Sequence, residues 1–175
     1  MSKVLSFPND FIWGTSTAAA QIETASDHIW NGVKAIDGSI LKDTIGHEKH
    51  RSEDAKLIDG LGSIYRAGVD WARLQKAPYE AFDKRVVKEY QDFFQQLNDQ
   101  GQQVLFVLHH FTHPNWFESA GGFAKRKNIP VFMNYVEQCI DCFAAYTSNW
   151  NTFNEPNVFI MNAYILGEFP PFKKN

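Results

Sequence analysis

The sequence has little of what announces several common protein classes. Cysteine is scarce: Cys139 and Cys142 are the only two in 175 residues. Their spacing is shared with redox and metal motifs. Both fall inside a helical pattern, however, and no second Cys or His pair is placed to complete a zinc site. They read as reduced thiols on a helix, and no metal is implied. Basic charge is not in excess either, with 17 Lys and Arg against 20 Asp and Glu and a net charge of -3. That argues against nucleic acid as a partner, which needs clustered positive charge. No apolar run approaches the length of a membrane span. The start, Met1 to Pro8, has no apolar signal core. No membrane partner is therefore expected, and a cytoplasmic location is the default. Internal repeats, low-complexity tracts and linkers are also missing.

Aromatic residues are abundant, at 15% of the chain with fifteen Phe and five Trp. They could fill a core or offer platforms for sugar faces, and composition alone does not separate the two. Strand-like and helix-like segments alternate. Phe11 to Ala20 reads as a first strand. Ser52 to Leu61 has helical spacing through Ala55, Ile58 and Leu61, with Ser52 as a possible N-cap and Gly62 as the stop. Tyr65 to Leu74 reads as a second strand. Asp83 to Gln100 is the clearest helix, with Val86, Val87, Tyr90, Phe93, Phe94 and Leu97 in one apolar stripe and Gly101 after it. Val104 to His110 suits a strand covered on both sides. Pro130 to Tyr146 reads as a helix with Phe132, Val136, Cys139, Ile140 and Phe143 inward. Asn149 to Asn154 is a fourth strand.

Such alternation implies βαβ units and a parallel sheet. An open doubly wound sheet would carry a Gly-rich phosphate turn after its first strand. Thr15-Ser16-Thr17-Ala18 follows Gly14 instead, and nothing implies a cofactor. Polar residues cluster where strands two, three and four end, which is where a (β/α)8 barrel places its chemistry. The expected fold is α/β: a partial (β/α)8 barrel of about the first four βα units. A whole barrel needs about 250 residues. No amphipathic helix is expected after the fourth strand, and the C-terminus reads as a truncation.

Four segments could carry chemistry. Trp150-Asn151-Thr152-Phe153-Asn154-Glu155-Pro156-Asn157 puts a carboxylate at a strand end. Glycosidic cleavage needs an acid to protonate the departing oxygen and a second carboxylate opposite it, and Glu155 suits the first role; the same residues could equally form an ordinary turn. His109-His110-Phe111-Thr112-His113-Pro114-Asn115-Trp116 invites a metal reading, but alternation along a strand sends His109 and His110 to opposite faces. A single inward His could hydrogen-bond a hydroxyl instead, with the flat ring of Trp116 nearby. Arg73 at the end of strand two could hold a carboxylate by its fork geometry or form a surface ion pair. Gln21, after the first strand, can both donate to and accept from vicinal hydroxyls.

Together these segments resemble glycoside hydrolase family 1, the β-glucosidase family, over essentially the whole chain. Phe7-Pro8, Phe11-Ile12-Trp13-Gly14 and Ala19-Ala20-Gln21-Ile22-Glu23 look like its N-terminal signature. His50-Arg51, Glu53-Asp54, Tyr65-Arg66 and Trp71-Ala72-Arg73 match its second-strand region. His110, Pro114 and Phe153-Asn154-Glu155-Pro156-Asn157 match its third and fourth strand ends. The resemblance implies a retaining β-glycosidase acting on a small-molecule β-glycoside. It makes residues 1–175 the N-terminal half of the family's barrel. Glu155 would be the general acid/base, Asn154 would hold the hydroxyl beside the reacting carbon, and Gln21 and His110 would bind hydroxyls on the far side of the sugar. Arg73 would position the nucleophile, and Trp150 would be structural or line the pocket. Departures from the family pattern are Ala20, Thr24 and Phe111. The nucleophile belongs to a Glu-Asn-Gly segment on the seventh strand, which residues 1–175 do not contain. The chain alone is therefore expected to be inactive. It is expected to self-associate or to need a complementary C-terminal half, either in one enzyme or as a split two-chain glycosidase. A non-catalytic β-glucoside-binding half barrel is the further alternative.

Overall fold

The computed structural model describes residues 6–35, 37–42 and 44–174. Most of the leader reading, at Met1 to Leu5, lies outside them. Four strands form one sheet: β1 (Gly14–Ser16), β2 (Ile64–Gly68), β3 (Gln103–His109) and β4 (Asn149–Phe153), in the order β1-β2-β3-β4. Every pairing is parallel, with Thr15 beside Tyr65, Arg66 beside Leu105 and Val107 beside Asn151. Sequential parallel neighbours require crossovers. The helices α1 (Ala19–Ile22), α2 (His47–Ile58), α3 (Trp71–Leu74), α4 (Lys84–Asp99), α5 (Asn115–Ser119), α6 (Ile129–Phe143) and α7 (Pro156–Ile160) fall in those crossovers and after β4.

The apolar core lies between the sheet and the helices α2, α4 and α6. Helix α4 presents Val86, Val87, Tyr90, Phe93, Phe94 and Leu97, all buried. Its start is fixed by Asp83, whose side chain accepts from the Arg85 and Val86 amides at 2.8 and 3.3 Å. Gly101, at φ 81°, ends the turn. From β3, Phe106 meets Phe94 and Phe143 at ring distances of 5.8 and 5.3 Å. Gly68 is required for close strand approach, because a Cβ there would stand 2.8 Å from the Val107 carbonyl.

Several boundaries differ from the sequence reading. Strand one is only three residues long, and Phe11, Ile12 and Trp13 are exposed. Ala19 and Gln21 belong to a helical turn instead. Strand two stops at Gly68, since Asp70 caps α3 by accepting from the Ala72 amide at 2.9 Å. Helix α2 starts at His47 after Gly46 rather than at Ser52, which is interior to it. On α6, Tyr135, Cys139 and Phe143 are fully buried, whereas Ile140 is 45% exposed. A helical segment does follow β4: α7 leads into a π-turn at Met161–Leu166. It buries Phe159 against His109, Phe111 and Phe123 near the strand ends. No helix of the described residues is long and apolar enough to cross a membrane.

Candidate active site

The carboxyl ends of β2, β3 and β4 meet through one line of polar contacts. Arg66 lies within β2, where Tyr65 and Ala67 belong to the helix-side core. Strand alternation turns its side chain to the opposite face. There it passes β3 and donates from Nη2 to Asn154 Oδ1 at 2.7 Å. Asn154, just past β4, is buried, and its amide donates to the His109 carbonyl at 2.8 Å. Its Nδ2 donates to Glu155 Oε2 at 3.2 Å. The Asn154 side chain is thus oriented from both sides, and it in turn orients the Glu155 carboxylate.

Glu155 has φ 41° and ψ 61°, a left-handed conformation. Such a conformation costs a non-glycine residue about 1–2 kcal/mol. Phe111, two residues past β3, shares it at φ 63°. Backbone strain of this kind concentrates at functional sites. Here it stands at the ends of two adjacent strands.

His110 is half-buried next to these groups. Burial, then the Arg66 guanidinium, push its pKa down to about 4, while the charge of Glu155 works the other way. The ring is therefore neutral at neutral pH and can both donate and accept. Its Nδ1 has no hydrogen-bond partner among the described residues. His110 and Gln21 line a cleft of about 1160 Å³ together with Trp30 and Phe111. His109 has a different environment: it is fully buried, 3.4 Å from His113, and burial lowers its pKa well below the ordinary value. Among the described residues, no group of three His, Cys, Asp or Glu side chains could hold a metal.

Three of the residues singled out from sequence stand elsewhere. Arg73 bonds Glu23 at 2.6 Å and Glu89 at 3.0 Å, and its guanidinium lies over the Tyr90 ring. It belongs to a buried charge cluster with Arg51, because α3 turns it toward α4. Trp116 donates to the Gln75 carbonyl at 3.2 Å and meets Trp71 edge-on, so it packs in the core. Trp150 packs on Phe106 at 4.9 Å, on the helix side of β4. Gln21, His110, Asn154 and Glu155 remain at the strand ends. The sequence reading missed Arg66 as a site residue; its signal was a charged residue at the opposite parity to Tyr65 and Ala67. It also missed Trp30, whose indole donates to the Phe111 carbonyl at 2.7 Å. No local pattern marks that contact.

The family model for glycosyl hydrolase family 1 matches residues 3–175. A 6-phospho-beta-galactosidase of Streptococcus mutans is 32% identical over 98% of this chain, which spans 38% of that protein. Coniferin beta-glucosidase of Pinus contorta is 31% identical over 94% of the chain, with 35% of its own length covered. Among solved structures, a beta-glycosidase from Pyrococcus horikoshii superimposes with a TM-score of 0.85 at 29% identity, over 97% of this chain and 40% of its own. The chain thus spans well under half the length of these relatives. Its four parallel strands and their helices are part of a (β/α)8 barrel.

Proposed function

The chain belongs to glycosyl hydrolase family 1, and on that premise we propose that it supplies the proton-donor half of a retaining β-glycosidase, β-glucosidase-like, acting on small-molecule O-glycosides. Glu155 is the general acid/base: it gives a proton to the departing oxygen, then takes one from the water that releases the sugar. Asn154 holds the hydroxyl beside the reacting carbon. Gln21 and His110 take hydroxyls farther along the ring. Arg66 assumes the positioning role that the sequence reading gave to Arg73.

The observation that supports this most is the Arg66–Asn154–Glu155 line of hydrogen bonds at the β4 end, beside a neutral His110. A retaining site needs a second carboxylate about 5–5.5 Å from the first. The Glu-Asn-Gly segment that would carry it does not occur in residues 1–175. It must come from later strands, in one polypeptide or in a second one, and without it no glycosyl-enzyme can form.

The test is an aryl β-glucoside assay of the 175-residue chain, alone and mixed with a separately produced later-strand segment of a family member. We expect no turnover alone and measurable turnover in the mixture. Robust turnover by the chain alone, abolished in Glu155→Gln, would overturn the proposal.

A further inference from the structure

At the end of the sheet away from Glu155, the turns that lead into β3 and β4 stand apart. Asn149, the first residue of β4, pairs with Leu105, so Gln103 and Val104 of β3 run past the start of β4. Two side-chain bonds join the turns. Thr147 Oγ1 donates to the Val104 carbonyl at 2.6 Å, and Asn98 Nδ2 donates to the Tyr146 carbonyl at 3.0 Å. The same turns line a pocket of about 280 Å³, to which Asn98, Gln102, Gln103, Tyr146, Ser148 and Asn149 contribute. Its lining comes wholly from residues 98–104 and 146–149, and no charged residue belongs to it.

Gln102 is only 3% exposed. Its Nε2 donates to the Gly62 carbonyl at 2.6 Å, which fixes the direction of the amide. Its Oε1 is buried and has no hydrogen-bond partner among the described residues. A buried acceptor left without a donor is costly. The side chains of Gln103, Ser148 and Asn149 make no hydrogen bond among the described residues. Amides and hydroxyls both donate and accept, and a ligand bearing several hydroxyls matches them group for group. A charged ligand would lose hydration here without meeting an opposite charge. An apolar one would leave the Gln102 oxygen without a donor. At about 280 Å³ the pocket lies at the small end of ligand sites, which suits one ring rather than two.

We propose that this pocket is a second binding site, which takes one uncharged polyhydroxylated molecule of monosaccharide size and receives a hydroxyl hydrogen on Gln102 Oε1. It lies at the opposite end of the strands from His110, Asn154 and Glu155, and it does not depend on the glycosidase reading.

The test is equilibrium dialysis of the 175-residue chain against radiolabelled myo-inositol, with D-glucose and cyclohexanol as competitors. Bound ligand is counted whatever the association state of the chain. Inositol should bind saturably at millimolar concentrations and be displaced by D-glucose but not by cyclohexanol. Gln103→Ala and Asn149→Ala, both at exposed positions, should each weaken binding about fivefold or more. Gln102→Leu should abolish it with circular dichroism unchanged; if that variant does not fold, the two exposed ones decide. Gln21→Ala and His110→Ala, at the other end of the strands, should leave inositol binding as it is. The proposal is overturned by no saturable binding, by displacement that follows cyclohexanol as readily as D-glucose, or by a folded Gln102→Leu that still binds. Binding indifferent to Gln103→Ala and Asn149→Ala, or weakened by Gln21→Ala or His110→Ala, overturns it as well.

Discussion

Two arginines a few residues apart do different work. Arg73 neutralises Glu23, which is 3% exposed and also accepts from Tyr90 at 2.8 Å. Removing one partner of a buried ion pair costs about 3–5 kcal/mol when the other charge is left alone; Arg51 still faces Glu23 at 3.3 Å, so the loss should lie at or below the low end of that range. Arg73→Ala should therefore lower the urea midpoint. Arg66→Ala should cost less stability yet release Asn154, visible as changed Asn154 amide resonances by NMR. Equal destabilisation by both, with Asn154 unmoved, would contradict this assignment. The histidines give a pH signature. Burial depresses the pKa of His109, His110 and His113 in the fold, and a depressed group contributes stability that is present above the unfolded value of about 6.5. As pH falls the unfolded chain binds more protons, so that stability is lost, for His110 between about 6.5 and about 4. Urea unfolding at pH 7, 5.5 and 4.5 should show falling stability. His110→Asn should flatten part of the fall; an unchanged slope would contradict the assignment.

At the scale of elements, how well each was legible follows from which side chains it buries. Helix α4 was plain because all six of its buried stripe residues are apolar. Phe94, 1% exposed and in contact with Phe106 and Phe143, should cost about 3–5 kcal/mol as Phe94→Ala, measured by denaturant unfolding. Helix α2 was misplaced at its start because its buried face is His47, Arg51, Ala55 and Ile58. Half of that stripe is polar: His47 bonds Asp54 of the same helix at 2.6 Å, and Arg51 pairs with the distant Glu23 and Glu89. Strand one was overextended because Phe7, Phe11 and Trp13 cluster with one another on the surface, at ring distances of 4.6 to 4.9 Å, while keeping the composition of a buried strand. In the site, Asn154, Glu155, His110 and Gln21 could be found because short motifs carry them. Arg66 and Trp30 act through partners 88 and 81 residues away, a relation no local pattern encodes.

On the scale of the whole molecule, four parallel strands leave two sheet edges. Among the described residues, β1 pairs only with β2 and β4 only with β3. Open edges pair with other chains, and exposed aromatic surface beside β1 adds to the drive. We expect the purified 175-residue chain to scatter light as a self-associated species, and a stable monomer at micromolar concentration would count against that. The proposed reaction depends above all on Glu155 as proton donor. Its most direct test is Glu155→Gln in the assembly with a later-strand segment, comparing a dinitrophenyl β-glucoside with an alkyl one. A lost acid should slow the alkyl glucoside, whose leaving group needs protonation, by about 10²–10⁴-fold. It should spare formation of the glycosyl-enzyme from the dinitrophenyl substrate. Equal slowing of that step for both, or no slowing, would contradict the role.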